Sequence, residues 1–153
     1  MKTSVIACGL VLSLAAGCAS VPASTDAASS ITPERAVLLA ATAAPAGYGG
    51  VFAVRVQAVG TQNGNIYLNS EADYRDQRNL SVAITPSAAK ELTARLGAPP
   101  NVALYGKRIL VKGLASRVTI YFIADGKPTD KYYYQTHVHV SDANQIQLVG
   151  QDG

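Results

Sequence analysis

Cysteine is nearly missing from this 153-residue chain: there are two, Cys8 and Cys18, both near the start. Beyond them no thiol remains, which excludes a cysteine nucleophile, a thiolate zinc site and an internal disulfide from the body of the protein. Histidine is as scarce, with only His137 and His139. Long apolar runs are missing too. The clearest, residues 5–16, is too short for a helix to cross a hydrocarbon core of roughly 30 Å. A strong charge of either sign is also absent, the formal net charge being +3. Nucleic-acid binders usually carry a denser basic patch, so charge leaves the partner class open without favouring nucleic acid. There is no Gly-x-Ser-x-Gly, no His-Glu-x-x-His and no phosphate-binding glycine loop. These absences argue against an enzyme, and no residue pattern calls for a cofactor.

What is present begins with an address. Lys2 precedes the apolar run 5–16, which ends in small residues, the pattern of a secretory signal peptide over 1–17. Leu14-Ala15-Ala16-Gly17-Cys18 resembles a bacterial lipobox, with Leu one place earlier than in its commonest form. The resemblance implies diacylglycerol on the Cys18 thiol, cleavage before Cys18 and acylation, as by palmitate, of the new amine. Ala19 in place of Asp implies sorting to the outer membrane, on the inner leaflet facing the periplasm. The alternative is an ordinary secretory signal with an incidental cysteine. Removing 17 of the 153 residues leaves 136, enough for one domain with a real core.

Residues 18–31, rich in Ser, Ala, Thr and Pro, read as the lipidated cysteine and a flexible tether. Thr32-Pro33-Glu34 has the N-cap, first-turn proline and early acid of a helix start, predicting a helix over 32–45 that Pro45 ends. The remainder, 50–150, is mostly strand-patterned. Phe52, Val54, Val56 and Ala58 share one parity of a single half-buried strand over 51–59. Asn63-Gly64 is a hairpin turn. Ile66 and Leu68 are expected inward with Tyr67 and Asn69 opposite, and Leu80, Val82 and Ile84 inward with Asn79, Ser81 and Ala83 outward. Thr85-Pro86 opens a second helix that Gly97 closes. Strand patterning resumes over 107–112, 117–123 and 132–140, with 145–149 as a short closing strand.

Three strands, a helix and a long two-stranded hairpin follow the order of the OB-fold, a five-stranded Greek-key barrel. Gly64-x-Ile66-Tyr67-Leu68-Asn69, Tyr74-Arg75-Asp76 and Leu80-Ser81-Val82-Ala83-Ile84 resemble the second and third strands of bacterial OB-type nucleic-acid-binding domains. Gly106 to Gly113 and His137-Val138-His139-Val140-Ser141-Asp142 resemble their fourth and fifth strands. The expected fold is therefore mainly β: a five-stranded OB-like barrel, one helix between strands 3 and 4, and an extra N-terminal helix. A lengthened arm over 114–134 departs from the compact members.

Three groups of residues are candidates for chemistry. The segment 71–79 holds Glu71, Asp73, Arg75, Asp76 and Arg78 around Tyr74. It reads as a solvated loop laced with local Asp–Arg pairs, or as a grip in which Arg75 and Arg78 meet an anion while Tyr74 stacks. Paired carboxylates for acid–base work are the remaining reading, and nothing suggests their burial. His137 and His139 share one strand face, expected outward. They read as outward polar positions or, His137 above all, as contacts to a ligand, and they lack the third donor that a metal site needs at a fixed spacing. Tyr67, Tyr121 and Tyr133, with Arg55, Lys127 and Lys131, suggest either cross-strand packing or a platform on which bases stack.

The leading expectation is a non-catalytic, lipid-anchored, periplasm-facing binding or adaptor module, attached to the membrane through Cys18 and meeting an envelope protein or a glycan. The alternatives are a binder of single-stranded nucleic acid or another anionic oligomer, and a structural lipoprotein of the envelope.

Overall fold

The computed structural model describes residues 29–150. The signal segment, the lipobox with Cys18 and the first part of the tether lie outside the described residues. Helix α1 (Pro33–Ala43) starts where Thr32 Oγ1 accepts a hydrogen bond from Arg35 N–H at 3.4 Å. Strand β1 (Tyr48–Arg55) follows, then β2 (Ala58–Gln62) and β3 (Asn65–Asn69). The turn between β2 and β3 places Asn63 and Gly64 at φ of 51° and 80°, both in the left-handed region that Asn-Gly tolerates.

After a polar loop, β4 (Leu80–Ile84) leads into α2 (Pro86–Leu96). Its N-cap Thr85 accepts from Ala88 N–H, and Gly97 at φ 77° ends it. A short helix α3 (Pro100–Ala103) precedes the two long strands β5 (Arg108–Ala124) and β6 (Lys127–Val140). A 3-10 turn (Ala143–Gln145), boxed by Asp142 and Gln145, turns the chain into β7 (Ile146–Leu148).

The protein is mainly β, built on one seven-stranded mixed sheet whose hydrogen-bonded path runs β1-β5-β6-β4-β3-β2, with β7 added on β5. All pairs are antiparallel except β4 with β6, which run parallel from Leu80↔Thr136 to Ile84↔Val140. The path is open between β1 and β2. The single strand expected over 51–59 is two strands because its pairing changes sides. Val56 donates to Lys107 and accepts from Gly106 beside β5, whereas Gln57 N–H donates to Asn69 at 2.8 Å beside β3. That bend divides one of the five expected barrel strands in two, and the short closing strand expected over 145–149 forms as β7, which makes seven.

One core holds these elements together. Phe52 and Val54 of β1, Leu68 of β3, Leu80, Val82 and Ile84 of β4, Ile109 and Val111 of β5 and Val138 and Val140 of β6 are all buried. Helix α1 enters it with Ala36 and Ala40, and α2 with Ala88 and Leu92. Small residues on α1 let the helix approach the sheet closely, and the spacing of four puts both on one face.

Candidate functional site

The loop 70–79 is organised from within. Asn79, buried, donates from Nδ2 to Asn69 Oδ1 at 3.2 Å and to Ser81 Oγ at 2.9 Å, and its Oδ1 accepts from Glu71 N–H at 3.1 Å. Ser81 Oγ in turn donates to Asn69 Oδ1 at 2.7 Å. Strand alternation predicts a solvated face for Asn69, Asn79, Ser81 and Ala83, and all four are buried instead. For Asn69, Asn79 and Ser81 the cause is the loop, which folds back over that end of β3 and β4. The polar side chains remain stable there by bonding one another.

Beyond this anchor the loop is exposed. Arg75 pairs with Asp73 through Nε at 3.1 Å and Nη2 at 3.2 Å, and Arg78 pairs with Asp76 at 3.1 and 2.8 Å. Each carboxylate also caps the backbone N–H of its arginine. The hydrogen bonds from Arg78 hold the Asp76 carboxyl down at about 2, and those from Arg75 lower Asp73 likewise. Both guanidinium forks are thus already occupied by carboxylates two residues away. Tyr74 is exposed, with Arg75 Cζ 5.6 Å from its ring centre.

His137 departs from its expected outward position: it is buried, while His139 is exposed. The His137 ring meets Tyr67 edge-on at 5.9 Å, and its Nε2 lies 2.7 Å from Gln135 Oε1. Gln135 Nε2 donates to the Tyr133 hydroxyl at 3.0 Å, so Tyr133, Gln135 and His137 form a chain along one face of β6. Burial, with His139 a lesser influence, pushes the His137 pKa down to about 4. The imidazole is therefore neutral at pH 7. Among the described residues no group of three or more His, Cys, Asp and Glu is arranged to hold a metal ion.

The most exposed apolar feature is an arm. β5 pairs with β1 only as far as Ala115, and β6 pairs with β4 only from Thr136 onward. Residues 116–124 and 127–135 therefore project as a two-stranded ribbon closed by a turn with Asp125 and Gly126 at φ of 51° and 72°. One face continues the core face of the sheet and carries Arg117, Tyr121, Tyr132 and Tyr134. Tyr121 and Tyr132 pack at 5.9 Å, Tyr132 and Tyr134 at 5.5 Å, and Arg117 Cζ lies 4.3 Å from the Tyr134 ring centre. The hydrogen bond with Tyr134 raises the Tyr132 hydroxyl pKa. On the other face Phe122 packs on Tyr133 at 5.5 Å, and burial raises the Tyr133 hydroxyl.

A groove of about 570 Å³ runs between this arm, α1 and the loop, lined by Val37, Ala41, Arg75, Gln77, Arg117 and the three tyrosines 132–134, with Phe122 and Thr136. The structure thus gathers Arg75 and Tyr133 at one groove and Tyr67 with His137 on the adjoining sheet face. Lys127 and Lys131 stand at the arm's end. Arg55 lies apart, beside Arg108 and Glu71 in a second groove, and Arg78 is held on Asp76 outside the first groove.

The platform expected from Tyr67, Tyr121 and Tyr133 does not assemble as one surface, because Ile120 opposes Tyr133 and Tyr121 opposes Tyr132, which puts Tyr121 on the other face. Arg117 escaped the sequence reading. The signal for it was the hairpin register, which aligns Arg117, Thr119 and Tyr121 with Thr136, Tyr134 and Tyr132. No protein-family model matches the chain, and no curated protein matches it either.

Proposed function

We propose that this protein is a non-catalytic, lipid-anchored adaptor of the bacterial envelope, held through Cys18 and presenting an OB-like domain to the periplasm. The observation that carries the adaptor reading is the arm. Its ribbon leaves Tyr121, Phe122, Ile123, Tyr132 and Tyr134 all between 44% and 63% exposed, far more apolar surface than its own domain covers. Tyr121, Tyr132 and Tyr134 share one face and form its contiguous part, and exposed apolar surface of this kind marks an interaction site.

The OB-like reading is supported by strand order. β1 and β2, at the two ends of the hydrogen-bonded path, are consecutive through residues 56–57 and read as two halves of one bent strand. The parallel β4–β6 pair and the helix between β4 and β5 fit the same scheme, with β7 and the arm as additions. The address is supported by Lys2, the run 5–16 and Leu14-Ala15-Ala16-Gly17-Cys18.

Replacing Cys18 with Ala tests the anchor, because the proposed attachment is through acyl chains carried by that residue. The wild-type protein is expected in the detergent phase and the variant in the aqueous phase. Equal partitioning of both would remove the anchor.

One observation favours a second reading, single-stranded nucleic acid: the stacked tyrosines beside Arg117 resemble a surface on which bases stack. Titration with single-stranded DNA at two salt concentrations separates the readings, since phosphate contacts weaken steeply with salt. The adaptor reading expects no binding even at low salt.

A further inference from the structure

We infer that the occupant of the arm's aromatic face is a second copy of this chain, two arms crossing antiparallel about a two-fold axis at the Tyr121–Tyr132 pair. Charge is the first ground. Arg117 makes no ion pair among the described residues and rests only on the Tyr134 ring, and Asp125 at the arm's turn is likewise without an ion pair there. Arg117 and Asp125 each stand four residues from Tyr121, on opposite sides of it. A two-fold axis through Tyr121 therefore carries Arg117 of each copy toward the turn of the other, where Asp125 sits. A surface that is self-complementary in this way is what an isologous contact requires.

The other occupants fit less well. Asp125 and Asp130 at the arm's end disfavour insertion into an anionic membrane surface and disfavour nucleic acid. Arg117, Lys127 and Lys131 disfavour a strongly basic partner. A mixed end meeting a mixed base is satisfied by its own copy.

Size then decides the strength. An aromatic side chain buries about 150–250 Å² when fully covered. Tyr121, Tyr132 and Tyr134, each roughly half exposed, supply on the order of 300 Å² per copy. A stable interface uses about 800 Å² per partner. The arm contact is thus weak between free molecules, and confinement of two copies in one membrane raises their effective concentration. The inference rests on the anchored-adaptor reading for that confinement alone.

Tyr121→Cys in the full chain tests it, because a cysteine on a two-fold axis meets its own copy and the rest of the domain has no thiol. After mild oxidation in intact cells, a non-reducing gel is expected to show a disulfide-linked dimer, with none for Lys90→Cys on the exposed side of α2. Adding Arg117→Asp should cut the linked fraction about tenfold, as like charges then face each other. Adding Arg117→Asp with Asp125→Arg should restore it. Absence of the dimer, or a dimer indifferent to Arg117→Asp, overturns the proposal, as does capture of a different envelope protein by the introduced thiol in place of a copy. Each variant is also made with Cys18→Ala. A Cys18→Ala chain that still cross-links in the same Arg117-dependent manner would remove the need for membrane confinement and leave the arm contact standing, whereas the anchor itself stands or falls on the detergent partitioning of the two forms.

Discussion

His137 shows how a single side chain ties this fold to pH. Its ordinary pKa is 6.5 and its folded value is about 4. Between those values the unfolded chain binds a proton that the folded chain refuses, so stability is fully present above pH 6.5 and falls as pH drops toward 4. The shift corresponds to a loss on the order of 3 kcal/mol by pH 4. Asp73 and Asp76 titrate below this window, so their loss of ion pairing adds only at lower pH. His137→Gln keeps a neutral polar group beside Gln135 and is expected to flatten the slope, which urea midpoints at about pH 7.5, 5.5 and 4.5 would reveal. A variant as acid-sensitive as the wild type would locate the effect elsewhere. Ser81 makes a second residue-scale prediction. At 2% exposure and bonded to Asn69 and Asn79, it has no room or solvent for a carboxylate. Ser81→Asp should lose about 3 kcal/mol or more, comparable with Val82→Asp on the opposite face. Thermal melts that leave Ser81→Asp near wild type would mean that the loop lifts away from β4.

Among the elements, helices were the most legible and strands were legible in existence but not in partnership. Thr32, Thr85 and Gly97 cap their helices as the local sequence indicates, because a cap is satisfied by atoms within a turn of itself. The alternation over residues 52–56 correctly sends Phe52, Val54 and Val56 inward. It does not show that pairing changes sides after Val56, since that depends on strands β3 and β5, distant in sequence. The arm was legible as a departure from a compact hairpin, while its faces were not. Its residues contribute nothing to the buried cluster, which ends at Ala115 on β5 and begins at Val138 on β6. Val118 and Gln135 are cross-strand partners, so joining them by Asn-Gly in place of residues 119–134 preserves register. This shortened protein is expected to keep a cooperative melt within a few degrees of the wild type while losing self-association. Circular dichroism and in-cell cross-linking would check the two halves separately. An unfolded product would make the arm part of the core.

For the whole molecule, sequence determined whatever depends on neighbours along the chain. The lipobox resemblance, the absence of thiols from the body, the capped helices, the Asn-Gly and Asp-Gly turns and a mainly β composition were all readable there. So were the Asp–Arg pairs of the 71–79 loop, because partners two residues apart need no tertiary fold to meet. Tertiary structure decided which polar positions are covered. Asn69, Ser81 and His137 occupy strand positions whose alternation marks them as outward. They are buried because the loop 70–79 and the Tyr67 ring close over that face, an arrangement that period-two patterning does not encode. Tertiary structure also decided that Tyr121 and Tyr133 stand on opposite faces of the arm and that Arg117 lies on Tyr134. Alternation gives each strand two faces, but only the pairing register between strands decides which side chains share one.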